Sequence, residues 1–422
     1  MSTAPAPAVP LWRNRDFRLV WTGHALSEFG NGVSQPAYPL LMLALTGSPA
    51  AAGMLVAVRA VPYLLFGLVA GALTDRWNRK RTMIACDLLR AVNMACLPLA
   101  LVVSTLTAAH VFVAGFVGGL LHVFFSAAEG ACLPHVVREE QVTAAVSAQG
   151  TAQSACGVVA GPVGGALLQV SRGLPFLVDA LSFLASALCL SFVRGDFRSA
   201  DAPGRTVRSR GSLRAEIAEG VRWLWDHRAL RLIGLLAAGL QVAISGIALV
   251  ALVVVRDAGA SSAVIGALFS ALGVGGVVGA LLAPRLKARL GLGGLLLSVL
   301  WLHGALWVLL AFTTAPLHVG IVLAVFALSM PCFGIAALGY QLEVTPDGLR
   351  GRVGTAFSLL LWAATPVGGA AAGVLLDLVT PRVTALVFAA WVVVLSALAG
   401  GLRGLDRRPR REQEAVPDPS AR

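Results

Sequence analysis

Long apolar runs alternate with short polar segments along almost the whole chain. Each run is about 20 residues long, and a helix of that length crosses a hydrocarbon core of roughly 30 Å. We therefore predict an all-α membrane protein with twelve spans. They lie near residues 18–45, 50–73, 83–104, 109–131, 144–170, 175–193, 229–255, 260–283, 291–313, 316–340, 353–377 and 382–402.

The basic residues lie mostly in alternate connections between these spans. Of 33 Lys and Arg, Arg59 and Arg90 lie inside spans, and Arg172, Arg256 and Arg382 follow odd-numbered spans. All the others lie at the termini, after even-numbered spans, or within the first three residues of the span that follows (Arg18 and Arg231). Because cytoplasmic loops of membrane proteins carry the excess of Lys and Arg, both termini are expected in the cytoplasm.

The composition supports a multi-pass membrane protein, and no cofactor is expected. Of its 422 residues, 57% are hydrophobic and 13% are charged, and the net charge of +12 follows from the basic loops rather than from a nucleic-acid partner. Residues 1–16 lack the apolar core of a cleavable signal peptide, so none is expected. The six cysteines form no CxxC pair, so neither a metal site nor a disulfide framework is predicted.

Two internal matches divide the chain into halves. The segment 150–166 matches 354–370, and Gly71-Ala-Leu recurs as Gly279-Ala-Leu almost the same number of residues later. Such a repeat predicts two parallel six-helix units. We expect an N-terminal half at 1–193, a cytoplasmic linker at 194–228, a C-terminal half at 229–402 and a disordered tail at 403–422.

The linker contains apolar residues at helical spacing, including Leu213, Val221 and Leu224, opposite Arg214 and Arg222. This pattern predicts an amphipathic helix on the inner leaflet with its arginines toward anionic lipid. A linker docked on the protein is the alternative.

The loop between the second and third spans, Gly71-x3-Asp75-Arg76-x2-Arg79-Lys80-Arg81, resembles the loop between helices 2 and 3 of major facilitator superfamily transporters. Further segments resemble the bacterial subfamily of the enterobactin exporter and the transmembrane secretion effectors. These segments are 13–19, 45–49, 59–62, 87–90 and 177–183. The resemblance covers essentially the whole chain.

The resemblance implies the major facilitator fold, with twelve transmembrane helices in two six-helix repeats, in the bacterial cytoplasmic membrane. It implies that the loop motif is a gate, in which Asp75 and its basic neighbours lock the cytoplasmic side against the eleventh helix. Asn78 stands where the family usually has glycine. A fifth-helix packing motif of antiporters is similar to Gly157, Gly161, Pro162, Gly164 and Gly165, and its second copy retains Pro366, Gly368 and Gly369 but has Thr365 in place of a glycine.

Polar residues within the spans are the candidate transport site, because a charge inside a bilayer is costly and rarely without function. His24, Glu28, Asn31 and Gln35 form one helical stripe in the first span. The other candidate cavity residues are His122, Ser126 and Glu129 in the fourth span and Gln241 and Ser245 in the seventh. The resemblance implies that these helices face a central cavity.

Glu28 is the preferred proton-carrying group, with His24, Asn31 and Arg59 beside it. Arg59 can alternatively attract an anionic substrate, or pair with Glu28 and simply join two helices. Asp87 and Arg90 are expected to form a structural ion pair. Glu129 and Asp179 lie near span ends, and the sequence leaves open whether they are interfacial.

The second half has no ionisable group near mid-membrane except His303, so it is expected to supply an apolar wall. We therefore predict a secondary active transporter, most simply a proton-coupled exporter of a small amphipathic or hydrophobic compound such as a drug, siderophore or secondary metabolite. An importer or facilitator is the alternative. The expected partners are the lipid bilayer, the small-molecule substrate and protons, and the protein is expected to act as a monomer.

Other classes lack their motifs in this sequence. Neither lysine, Lys80 or Lys287, follows a glycine, so no phosphate-binding loop of an ATP-driven pump exists. The HExxH and GxSxG patterns of hydrolases are also absent, so an enzyme is not expected.

Overall fold

The computed structural model describes residues 10–74, 76–194, 213–346 and 348–400, and this part of the chain is helical. Short 3₁₀ turns lie at Leu11–Arg13 and Glu139–Gln141. The α-helices are α1 (Arg15–Ser34), α2 (Ala37–Thr46), α3 (Pro49–Thr74), α4 (Arg79–Val102), α5 (Ala108–Val136), α6 (Val142–Val170), α7 (Leu174–Ser191), α8 (Leu213–Asp226), α9 (Arg228–Asp257), α10 (Ser262–Ala311), α11 (Pro316–Val344), α12 (Arg350–Leu378) and α13 (Pro381–Leu398).

The first predicted span is interrupted. Helix α1 ends at Ser34 and α2 begins at Ala37, because Pro36 has no backbone N–H and its ring obstructs the preceding turn. The two helices together form one crossing. The polar stripe leaves α1 outside the set of ten helices in the described residues that are long and apolar enough to cross a membrane.

The eighth and ninth spans form one element, α10, which is 50 residues long. The loop expected between them is helical except at Gly291, whose φ of 70° lies in a region that glycine tolerates and other residues avoid. Counting α10 as two spans, and α1 with α2 as one, gives the twelve crossings predicted.

Asn78, which replaces the usual glycine of the loop motif, begins helix α4. Its side-chain oxygen accepts a hydrogen bond from the backbone N–H of Arg81 at 3.0 Å. Asparagine is among the best residues for this capping role, because it satisfies one of the free N–H groups of the first turn. The departure from the family pattern therefore has a structural role here.

Helices α1–α7 pack together as one group and α9–α13 as another. In the first group α1 packs on α6 and α7, and α4 packs on α5 and α7. In the second, α10 packs on α11 and α13, and α9 packs on α12. In the described residues, the groups meet mainly along two helix pairs, α3 with α12 and α6 with α10. We call the end of the bundle that carries Arg79, Lys80, Arg81 and α8 the basic end.

Glycines make the contacts between the halves close, and these contacts lie toward the end opposite the basic end. A Cβ built on Gly373 would lie 2.6 Å from the carbonyl oxygen of Pro49 and 2.9 Å from Cα of Gly53. A Cβ on Gly161 would lie 2.6 Å from the carbonyl oxygen of Gly266. Only residues without a side chain allow helix backbones to approach this closely.

Helix α8 packs on the first turns of α12. A Cβ on Gly220 would overlap the backbone carbonyl of Arg352, and Glu219 forms an ion pair with Arg352. Leu224 is buried, whereas Val221 and Trp225 are exposed. The helix therefore docks on protein through one face and leaves apolar side chains on another.

Candidate functional site

The polar stripe of α1 makes a side-chain contact with each neighbouring helix in turn. His24 Nδ1 lies 2.9 Å from Oε1 of Glu129 on α5. The Gln149 side chain of α6 donates to the same oxygen at 3.2 Å. One turn further along α1, Glu28 accepts a hydrogen bond of 3.2 Å from Gln153 of α6. The stripe thus connects α1 to α5 and α6.

Asn31 connects α1 to α4. Its side-chain amide donates to Glu28 at 3.2 Å, and its oxygen accepts from Arg90 Nη2 at 3.0 Å. The Arg90 guanidinium also lies 3.5 Å from the Asp87 carboxylate and 3.9 Å from the ring centroid of Phe183. Arg90 and Asp87 are both buried, so their mutual pairing offsets part of the cost of removing two charges from water.

Two further contacts continue the stripe toward the other end of the bundle. Ser34 donates a short hydrogen bond of 2.6 Å to Asp179 of α7, which is 2% exposed. The Arg59 guanidinium of α3 lies 4.2 Å from the ring centroid of Tyr38, at the start of α2. We call the series His24, Glu28, Asn31, Ser34 and Tyr38, with these partners, the polar spine.

The polar side chains of the second half make a different kind of contact. Gln241 of α9 donates to the Thr365 hydroxyl of α12 at 3.2 Å, and Ser245 donates to the Gln241 carbonyl at 2.8 Å. His303 is fully buried, with Nδ1 2.7 Å from the Val299 carbonyl oxygen. These are packing contacts within the C-terminal half.

A cavity of about 420 Å³ lies between α9, α11 and α12. None of its lining residues, all within the described part of the chain, carries a charge. The lining is Ala237, Leu240, Gln241, Ile244, Met330, Phe333, Gly334, Ala337, Leu338, Gln341, Gly354, Phe357, Ser358 and Leu361.

The described residues of the loop motif contact the N-terminal half. Arg79 donates to the Ala131 carbonyl at 3.0 Å, and Lys80 donates to the Val193 carbonyl at 2.5 Å. Arg76 and Arg81 are exposed, and Asp75 lies outside the described residues. Among the described residues, no atom of another segment comes within 4 Å of where a Cβ on Gly71 would lie, so this part of α3 faces open space between the described helices.

The packing motif makes the same contact in both halves. A Cβ on Gly164 would overlap the carbonyl of Val33 in α1, and one on Gly368 would overlap the carbonyl of Val242 in α9. Because α6 and α12 hold equivalent places in the repeat, the motif joins the fifth span of each half to its first. Thr365, where the first copy has glycine, serves as the acceptor for Gln241.

Comparison with known proteins identifies the family. A family model described as transmembrane secretion effector matches residues 5–418. The chain belongs to this family. Its members are major facilitator superfamily transporters rather than enzymes. The transporter is 28% identical over 388 residues to the multidrug efflux pump Tap of Mycolicibacterium fortuitum, covering 88% of this chain and 91% of that one.

Solved structures with the same fold differ widely in sequence. The transporter superposes on a point mutant of the nucleoside transporter NupG with a TM-score of 0.77 at 12% identity, covering 92% of this chain and 99% of the other. It superposes on a bacterial homologue of the iron transporter ferroportin in its inward-facing state with a TM-score of 0.71 at 16% identity, covering 93% and 99%. The predicted fold, a membrane-spanning bundle of the major facilitator superfamily, is thereby confirmed.

The structure brings most of the predicted polar residues together, but not all. His24, Glu28 and Asn31 share the polar spine with Glu129. Ser126 lies 3.3 Å from Nε2 of His122 on the same helix. Gln35 is exposed at the break between α1 and α2.

Several residues of the polar spine were not among the predicted site residues. Arg90 binds Asn31 as well as Asp87, and Asp179 is buried within the protein. Gln149 and Gln153 were also missed. Their spacing of four places them on one face of α6, and this polar pair within an apolar span is the signal that could have identified them.

Proposed function

We propose that the transporter exports small amphipathic or hydrophobic compounds in exchange for protons, by alternating access. The observation that carries this proposal is the packing of the two halves. They are in close contact at the end opposite the basic end, whereas α3 faces open space at Gly71 near the basic end. The efflux function named for its relative Tap supports export as the direction.

In this proposal the basic end faces the cytoplasm, as the distribution of Arg and Lys favours. The conformation described here then accepts substrate from the cytoplasm or from the inner leaflet. Release follows when the halves close at the basic end and part at the other end. The loop from Gly71 to Arg81 is proposed to hold that second state, as its resemblance to the superfamily motif implies.

Glu28 is proposed to carry the exchanged proton. It is half-buried, and its carboxylate oxygens accept from Asn31 and Gln153 at 3.2 Å each. Two amide donors can hold the ionised acid, and a change in access can let it take up a proton. Arg90 donates to Asn31, which in turn donates to Glu28, so one hydrogen-bonded residue separates this cation from the acid.

The test uses inside-out vesicles energised to be acid inside, with wild type, Glu28→Gln and Glu139→Gln compared. Glu139 is an exposed acid in a 3₁₀ turn and serves as the matched control. We expect uptake of a labelled amphipathic antibiotic, but not of a sugar, by wild type and the control. Uptake should stop with an uncoupler and in Glu28→Gln. Uptake that survives both conditions would indicate a facilitator and refute the proton role.

A further inference from the structure

The cavity of the C-terminal half contains a polar side chain that has no hydrogen-bond partner among the described residues. Gln341 of α11 lines this cavity and is 5% exposed, yet among the described residues no side chain or backbone group forms a hydrogen bond with its side-chain amide. The amide atoms reach the cavity, and because polar groups in protein interiors are nearly always hydrogen-bonded, water or a bound molecule there can satisfy them. The Gln341 amide is therefore positioned to bind something that enters the cavity.

The other residues of the lining limit the kind of molecule that can bind in the cavity. Phe333 and Phe357 provide aromatic surface, and Leu240, Met330 and other aliphatic residues form most of the rest. Ser358 adds a hydroxyl. The Gln241 side chain, also in the lining, already donates to Thr365.

The cavity differs from the polar spine in that its lining carries no charge. Its volume of about 420 Å³ lies within the range of drug-sized sites. Because no lining residue is charged, an ionic group placed here would find no counter-charge to offset the hydration that it gives up. A neutral molecule would give up little hydration free energy on entering the cavity, and it could form a hydrogen bond with the Gln341 amide.

We propose that the cavity between α9, α11 and α12 is a binding site for uncharged amphipathic compounds, which present a hydrogen-bonding group to Gln341 and an apolar body to the aromatic and aliphatic lining. The proposal deepens the proposed function by naming the substrate class, and it rests on that function only for the claim that the bound compound is transported. Proton exchange at Glu28 takes place in the other half, so uncharged substrate and proton need not share a site.

The test measures equilibrium binding without any gradient, so it stays informative even if Glu28 proves irrelevant to transport. The full-length protein in lipid nanodiscs is incubated with tritiated chloramphenicol or with N-phenyl-1-naphthylamine, both uncharged. Tetraphenylphosphonium, a lipophilic cation, is the competitor. Empty nanodiscs measure partition into lipid.

Three variants test whether the probe binds in this cavity. Gln341→Leu keeps the side-chain size and removes the amide, and we expect it to weaken binding about tenfold, since an unmade buried hydrogen bond costs that order of affinity. Ala337→Trp fills the cavity from α11 and should abolish binding. Leu342→Trp places the same bulk at an exposed position of the same helix and should leave binding unchanged.

Saturable binding of a neutral probe, weakened by Gln341→Leu and not displaced by tetraphenylphosphonium, supports the proposal. Gln341→Leu and Leu342→Trp should unfold at the wild-type temperature, which keeps the comparison valid if Ala337→Trp does not fold. The proposal is overturned if neither neutral probe saturates. It is overturned equally if Gln341→Leu binds like wild type or if the cation competes fully.

Discussion

Tyr63 of α3 and Trp362 of α12 stack face to face across the boundary between the halves, with ring centroids 4.0 Å apart and planes within 7° of parallel. Away from the basic end, the same helices are in backbone contact at Gly53 and Gly373. Toward the basic end, Gly71 faces open space. The stack thus lies between the closed and open parts of this helix pair.

The stack should contribute directly to the association of the halves. We expect a coupling free energy of about 0.5–1.5 kcal/mol between Tyr63 and Trp362, the usual value for an aromatic pair beyond its buried area. The measurement is a double-mutant cycle of Tyr63→Ala and Trp362→Ala on the free energy of unfolding in mixed detergent micelles. Additive single-variant effects would show that the rings do not stabilise the interface.

Gly373→Ala should disturb the closed end of the interface, because the new Cβ would lie 2.6 Å from the Pro49 carbonyl oxygen. We expect α3 and α12 to part there, with transport reduced about tenfold or more. Gly276→Ala is the control, since a Cβ at Gly276 meets no atom of the described residues within 4 Å. Transport assays on both variants in vesicles check the prediction, and equal activity would contradict it.

The antiparallel register of α3 and α12 predicts which residues meet when the basic end closes. Continuing from the Tyr63–Trp362 pair, one turn further on α3 and one turn back on α12, Gly67 falls opposite Ser358. Ser358 lines the cavity, so closure would bring α3 over that wall. The measurement is cross-linking of Gly67→Cys with Ser358→Cys by a short thiol reagent, after replacement of the six native cysteines.

We expect cross-linking to rise under conditions that favour the state closed at the basic end, and the cross-linked protein to be inactive in transport. Leu65→Cys with Ser358→Cys is the control pair, because Leu65 is 59% exposed and lies on another face of α3. Equal cross-linking of the control pair would mean that the register does not persist into the second state.

Ser34→Ala should destabilise the N-terminal half, because it removes the hydroxyl that donates to buried Asp179. We expect a loss of about 1–3 kcal/mol in the free energy of unfolding, the usual cost of leaving a buried acceptor unsatisfied. Ser27→Ala is the control. Ser27 is equally buried but donates only to the His24 carbonyl of its own helix, so its loss should be smaller. Unfolding in mixed micelles measures both, and similar losses would contradict the prediction.

The sequence alone predicts a structural feature when that feature depends only on residues close together in the chain. The length of the apolar runs predicts membrane spans because each must cross the same thickness of hydrocarbon. The stripe of His24, Glu28 and Asn31 was predictable because helical spacing places these residues on one face whatever surrounds them. The break of the first span at Pro36 has an equally local cause, which the assignment of residues 18–45 to one span did not take into account.

The sequence by itself determined the membrane-spanning class, the two-half organisation and the polar character of α1, because these depend on composition, period and repeat. Only the tertiary structure decided the partners of that stripe. The contacts of Asn31 with Arg90 and of Ser34 with Asp179 join helices that are far apart in the chain. The tertiary structure alone placed Gln341 in the lining of an uncharged cavity. That environment exists only once three helices have packed around the residue.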